Sequence, residues 1–458
     1  MDHAIHVGRM RWWSFAIVLA IISVGGLFVP DTVFQMDALS PEAQSILNKA
    51  DIAWMITATA LVMLMTPGLS FFYGGMVRKK NVISTMTQSV IAMGLVSVLW
   101  VVVGFSLAFG DSIGGFIGDP RTFFMFRNVG GSPFGINGFS LTIPLALFAL
   151  FQLKFAIITP ALFTGSFAER VHFSGYLVFM VLFSIFIYAP LAHWTWHPEG
   201  ILCAMGVKDF AGGIVVHCSS GVAALAGAIY LGRRRKPSGG TTSPANIPMV
   251  MLGACLLWFG WFGFNGGSTL NCSPDAVKAF LNTNTACAAA MLAWVLFDTL
   301  RGEKPSAMGI SVGLVVGLVA ITPSAVWVSV GESLFIGSFT AVCCNVAVHW
   351  KHRSNVDDAL DVFPTHGVGG ILGTILTGVF VDGLLDGNVR TFGVHLLAVA
   401  IVFAYTFCGS LILYKVTDWM VKMRVSSESE MLGLDLSQHG ELYGHEAGIE
   451  PKEDTRSA

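Results

Sequence analysis

The stretch Asp209-Phe-Ala-Gly-Gly-Ile-Val-Val-His217-Cys-Ser-Ser-Gly-Val-Ala-Ala-Leu225 decides how this chain is read. It opens with an acid and continues as a glycine-rich apolar run that holds one histidine, with no further charge until Arg233. An ionisable ring in such a run is costly to expose to hydrocarbon, so it must face protein or a wet cavity. A second histidine sits in a comparable run, Asp361-Val-Phe-Pro-Thr-His366-Gly-Val-Gly-Gly370. The pattern predicts that the two imidazoles meet in the middle of a membrane-crossing pore.

Composition supports a membrane setting. Of 458 residues, 54% are hydrophobic and only 12% charged, with a mean hydropathy of +0.69. A soluble domain does not stay dispersed with so little charge, so the chain reads as a polytopic membrane protein. The net charge of −2 points to no charged partner, and nucleic acid is not expected. The 51 glycines suit close approach of helices in lipid. Eight cysteines show no C-x-x-C pattern, and Cys255, Cys343, Cys344 and Cys408 lie inside apolar runs as small hydrophobes. Cys203 and Cys272 fall in short connections, and no bridge between them is expected.

Residues 1–50 read as a signal peptide, or a short extra helix, followed by an outer segment; removal is the favoured expectation. Beyond them lie eleven apolar segments, each near the ~20 residues that a crossing needs. They fall at about 52–76, 84–109, 140–165, 174–194, 209–232, 247–269, 278–300, 307–327, 332–350, 366–381 and 392–421. Cations cluster after the first, third, fifth, seventh and ninth segments: Arg78-Lys79-Lys80, Arg170, Arg233-Arg234-Arg235-Lys236, Arg301 with Lys304, and Lys351 with Arg353. By the positive-inside rule the body, residues 51–424, begins outside, and the tail, 425–458, is cytoplasmic. The histidines fall in the fifth and tenth segments, which suggests an inverted five-helix repeat, about 51–232 and 247–381, with the eleventh helix unpaired. Such repeats place the substrate path at their interface near mid-membrane.

His217 and His366 are therefore the candidate pore residues, since imidazole passes a proton on near neutral pH. No third ligand at sensible spacing accompanies either one, so no metal is expected. Asp209 and Asp361 stand before the two runs as candidate helix caps. In the sixth segment Phe264 and Ser268 are four apart and share a face; in the third, Phe151, Lys154 and Phe155 do the same. Trp196 ends the fourth segment on the outer side. Aromatic rings and a hydroxyl drawn from different helices would hold a small cation by ring-quadrupole attraction and one hydrogen bond. No nucleophile stands with a base, so the chain is not expected to be an enzyme.

From about Asp51 to Glu441 the chain resembles the ammonium transporter (Amt/Mep/Rh) family, on its Amt branch. The matching pieces are Pro67-Gly-Leu-Ser-Phe-Phe-Tyr-Gly-Gly75, Phe151-Gln152, Gly165-Ser-Phe-Ala-Glu-Arg170, the two histidine runs, Gly260-Trp-Phe-Gly-Phe-Asn-Gly-Gly-Ser268 and Gly433-Leu-Asp-Leu-Ser-Gln-His-Gly440. The resemblance implies a homotrimer in the plasma membrane with one pore per subunit and no cofactor. It implies an outer ammonium site at Trp196, Phe155 and Ser268, and a gate of Phe155 over Phe264. Below these would lie a lumen with His217 and His366, with Asp209 matching the acid that supports the outer region and Phe151 a further supporting residue. The tail resembles the segment that meets PII-type signal proteins. Lys154 departs from the family pattern beside the gate, where a cation in the mouth would oppose ammonium; a pocket or interface placement is expected instead. The alternative reading is an ammonium sensor with little flux that signals through its tail.

Overall fold

A computed structural model describes residues 2–30, 32–235 and 243–444. Apart from one two-stranded ribbon, Ser112–Ile113 with Ile117–Gly118, the described chain is helical. Its helices are α1 (Lys49–Met76), α2 (Lys79–Phe109), α3 (Leu145–Phe167), α4 (Phe173–Ala204), α5 (Gly213–Leu231), α6 (Ile247–Gly267), α7 (Pro274–Leu300), α8 (Ala307–Ile321), α9 (Val330–Arg353), α10 (Phe363–Asp386) and α11 (Val389–Met420). Ten of these are long and apolar enough to cross a membrane; α8 is a shorter apolar helix. The protein is thus an all-α polytopic membrane protein.

Where helix ends depart from the sequence expectation, the cause is local. α8 stops at Ile321 rather than 327 because Pro323 follows, and proline supplies no N–H to continue the ladder. α3 starts at Leu145, directly after Pro144 at the N-cap position, so residues 140–143 stay non-helical. α5 begins only at Gly213, because Gly212 takes a positive φ of 115° and the chain folds back over Asp209.

The outer and inner margins follow the same logic. A helix over Asp2–Gly26 precedes α1. Its Trp12 ring lies 6.4 Å from Phe173 at the start of α4, and its far end, at Gly26, reaches Met125. The segment after it lies on the α2–α3 connection, with the Gly131 N–H donating to Val33 O at 2.8 Å. Beyond α11 the tail does not simply dangle in solvent: a short helix, Ser427–Leu432, and a turn, Asp435–His439, dock on the start of α2. Asp435 Oδ1 accepts the Ser84 N–H at 2.7 Å and Oδ2 the Ile83 N–H at 3.0 Å. A carboxylate at the start of α2 suits the unpaired amides and positive end of that helix. Residues 445–458 lie outside the described residues.

α5 and α10 meet backbone to backbone. A Cβ on Gly221 would collide with Gly367 N, and one on Gly370 would come within 2.7 Å of Gly213 O and 3.0 Å of His217 Cβ. Only glycine lets these helices approach so closely. That contact brings two residues 149 apart in sequence, His217 and His366, into the same layer.

Candidate functional site

Both histidine-bearing helices open with a wide turn, Gly213–Cys218 in α5 and Phe363–Val368 in α10. Such π-type turns often occur at functional positions, and here each carries a histidine inward. His217 and His366 are buried, with Nδ1 atoms 3.4 Å apart and ring centroids 5.4 Å apart. A hydrogen bond between two Nδ1 atoms requires one N–H donor and one lone pair, so a single proton lies between the rings. His217 Nε2 has no hydrogen-bond partner among the described residues. The Trp261 ring lies flat on His217 at 5.2 Å and 17°, and is itself fixed by its Nε1–H donating to Thr322 Oγ1 at 2.9 Å.

Above the histidines two rings close the path. Phe264 lies 6.0 Å from His217, and Phe155 lies 4.2 Å from Phe264 with a 32° tilt. Phe151 packs against Phe155 at 5.0 Å and against the bare backbone of Gly267; it does not reach the outer cavity. On the far side of Phe155 is a cavity of about 140 Å³ whose walls include Gln152, Phe155, Trp196, Phe210 and Ser268. Trp196 meets Phe155 edge-on at 5.7 Å. Its indole N–H donates to Asp209 O at 3.0 Å, so its ring is held in place. Ser268 Oγ donates to Phe264 O at 2.8 Å and keeps its lone pairs for a donor in the cavity.

The expected residues Trp196, Phe155 and Ser268 thus come together from α4, α3 and the end of α6, with Phe264, His217 and His366 following in order. Gln152 was not singled out by the sequence reading as a site residue. Its side-chain oxygen is buried without a partner in the wall of the cavity, and its position three residues before Phe155 on α3 was the available signal. Lys154 does not line the cavity. It lies one turn after Leu150, which is 42% exposed, and is itself 9% exposed.

One expectation needs correcting. Asp209 caps its turn, with Oδ1 accepting from Gly212 and Gly213 at 2.9 and 2.6 Å and Oδ2 from Ile214 and Val215 at 2.8 and 3.2 Å. Asp361 does not cap α10. It has a left-handed φ of 58° and turns to Lys351 at 2.5 Å and His352 at 3.3 Å. The cap is Asp358, whose Oδ2 accepts the Phe363 N–H at 2.7 Å. Asp358 precedes His366 by the same eight residues that separate Asp209 from His217.

Beneath the histidine layer, on the side of the basic connections, lies a cavity of about 340 Å³ walled by Arg78, Glu169, Arg234, His352, Asp357 and Asp361 among others. Glu169 is buried and accepts from Arg78 Nε at 2.8 Å and Arg234 Nη1 at 3.0 Å; Arg234 also pairs with Asp357 at 2.8 Å. Burial alone would raise the Glu169 carboxyl, but Arg234 and Arg78 hold it below the ordinary carboxylate range. Asp357 is likewise lowered, against its burial, by Arg234 and Arg170. Burial pulls the Arg170 guanidinium down to about 10. Among the described residues no group of three or more His, Cys, Asp or Glu side chains is placed to hold a metal ion. No disulfide joins any of the eight cysteines.

Many spans around a buried, ring-lined path with a mouth on one side and a charged cavity on the other define a membrane transporter. A profile of the Ammonium Transporter Family matches residues 53–443. The ammonium transporter of Aquifex aeolicus is 44% identical over 419 residues, 90% of this chain and 96% of that one. The putative ammonium transporter of Methanothermobacter thermautotrophicus is 42% identical over 86% of this chain and 98% of its own. The crystal structure of Candida albicans Mep2 superposes with a TM-score of 0.80 at 35% identity, covering 89% of this chain and 92% of that chain. A structure described as a sensor Amt protein gives 0.79 at 30% identity, covering 86% and 100%. The chain belongs to the Amt/Mep ammonium transporter family, and is therefore a transporter rather than an enzyme.

Proposed function

We propose that this protein carries ammonium across the plasma membrane by binding the cation outside, removing a proton, and passing neutral ammonia through the lumen. The observation that carries the reading is the order of side chains along one line: outer cavity, Phe155, Phe264, His217, His366. Ammonium has four donors and one charge. The Trp196 and Phe155 rings answer the charge, while the Ser268 lone pairs and the Gln152 oxygen answer two N–H groups. A bare cation does not pass two packed rings into a dry lumen without a large desolvation cost, whereas the neutral molecule does. The proton then has the linked imidazoles as its route.

The same reading treats α8 with the residues after it as an eleventh crossing, and α1–α5 and α6–α10 as inverted repeats. The Asp-to-His spacing shared by α5 and α10 supports this. It divides the chain into residues 1–50, the transport body 51–424 and the tail 425–458. The protein acts as a homotrimer with the tail cytoplasmic, and a PII-type signal protein is the partner proposed for that tail. Electrical recording on supported membranes tests the reading: an ammonium pulse should give a current that needs His217 and His366. Ammonium uptake with no current would reject proton passage along the histidines, and no uptake at all would reject transport.

The second reading is a sensor that reports ammonium through the docked tail, favoured by the likeness to the sensor Amt structure. Uptake of labelled methylammonium into cells lacking other carriers separates the two, since a sensor takes up little. Truncation after Arg424 should change the transport rate or abolish PII binding; a tail with no effect on either has no regulatory role.

A further inference from the structure

The two acids that hold the histidine turns are satisfied to different degrees. Asp209 has both oxygens filled by four backbone N–H groups. Asp358 is fully buried; its Oδ2 accepts from Phe363, with the Val362 amide also acting on the carboxylate, and Oδ1 has no hydrogen-bond partner among the described residues. A carboxylate oxygen left bare in a buried site is an unfavourable arrangement unless something visits it. A proton is the smallest visitor, and buried acids in membrane proteins mark proton relays.

The surroundings favour that role. Asp357, Ala359, Leu360 and Asp361, on either side of Asp358, line the inner cavity, while Asp358 itself is buried and does not line it. The groups that act on it are Lys351 of α9, Tyr73 of α1, Arg170 of the α3–α4 connection and Asp361 of its own loop. Lys351 donates to Asp358 O at 2.7 Å while pairing with Asp361, which ties the two acids together. Burial pushes the Asp358 carboxyl above the ordinary carboxylate range; Lys351 works against this and Asp361 with it. Such a group takes and returns a proton more readily than a fully ion-paired one.

We propose that Asp358 is the group through which protons leave the path on the inner side, an inference that rests on the deprotonation reading above. An N–H bond of the protonated histidine pair breaks and the ring returns to neutral. Water entering from the inner cavity carries the proton to the carboxyl, and an O–H bond forms at Oδ1. The now neutral Asp358 then loses that proton to water of the inner cavity beside Asp361 and His352, and its carboxylate is restored. Asp209 has no oxygen free for the equivalent step and serves as a fixed cap.

The test uses the full chain in proteoliposomes, with current on supported membranes and neutral ammonia permeation by stopped-flow pH change measured on the same preparation. Asp358→Asn keeps an oxygen for the Phe363 N–H but cannot ionise. It should lower the current at least about tenfold while neutral permeation stays at the native level, and Asp358→Glu should restore part of the current. A native current in Asp358→Asn overturns the inference. So does an equal loss of current and permeation in both variants, which would mark the residue as structural. A native protein that conducts ammonia without current overturns the inference while leaving transport standing; one that conducts nothing overturns both.

Discussion

The turn before His217 and the turn before His366 solve one problem with different chemistry. On the outer side, Asp209 gathers four amides into one carboxylate, and its own carbonyl holds the Trp196 indole. The cap, the mouth and the histidine turn are therefore one rigid unit. On the side of the basic connections, Asp358 takes the Phe363 amide with that of Val362 beside it, and the surrounding loop is held by charge: Lys351 with Asp361, Arg234 with Asp357 and Glu169, Arg78 with Glu169. Backbone hydrogen bonds fix the Asp209 side. Ion pairs, which can exchange protons and partners, build the Asp358 side.

The largest expected effect is at Asp209. Asp209→Ala strands four buried N–H groups, at about 1–3 kcal/mol each, a large fraction of the ~5–15 kcal/mol that holds an ordinary fold. Detergent extracts should contain little monodisperse protein by size exclusion. Asp358→Ala strands one such group, so it should cost about 1–3 kcal/mol and leave a folded protein. Equal damage at the two positions would break the contrast.

Next in size is the inner ion-pair cluster. Glu169→Gln leaves Arg78 without its buried counter-charge and Arg234 with Asp357 alone, and about 3–5 kcal/mol of destabilisation is expected by thermal shift. Glu169 and Asp357 are lowered carboxylates, so their stabilisation is complete above the ordinary carboxylate range and is lost as pH falls through their folded values. Acidification should thus loosen these loops, seen as faster hydrogen exchange around Arg234 and Asp357 as pH falls. Exchange there that does not respond to acid would contradict the role of these ion pairs.

A smaller effect is expected at the tail. Asp435→Ala removes its bonds to Ile83 and Ser84 at the start of α2, and limited proteolysis should then cut the tail faster while the body stays intact. The smallest effect is at Lys154. Because it does not line the outer cavity, Lys154→Met should leave the half-saturating ammonium concentration unchanged. A large fall would show that the lysine guards the mouth.

Much of this was legible in the sequence because membrane helices carry a strong compositional signal. The histidine pair was readable since nothing else in those runs titrates, and the aromatic set was readable from helical spacing with help from the family pattern. The inner cap was not. Asp357, Asp358 and Asp361 all precede the run, and spacing from the apolar start favoured the nearest one. The eight-residue interval shared with Asp209 was the signal that distinguishes Asp358. Gln152 escaped notice because a lone amide on an apolar helix gives no sign of which way it faces until the helices are packed. The docking of the tail was equally hidden, since an acidic composition describes a solvated tail as well as one whose Asp435 meets a helix end.

The central claim is that the proton removed from ammonium travels by way of His217 and His366. Its most direct test is the current evoked by an ammonium pulse on supported membranes carrying the double variant His217→Ala with His366→Ala. The account predicts that the protein remains folded and that the charge-carrying signal disappears. A native, ammonium-selective current from the double variant would contradict it.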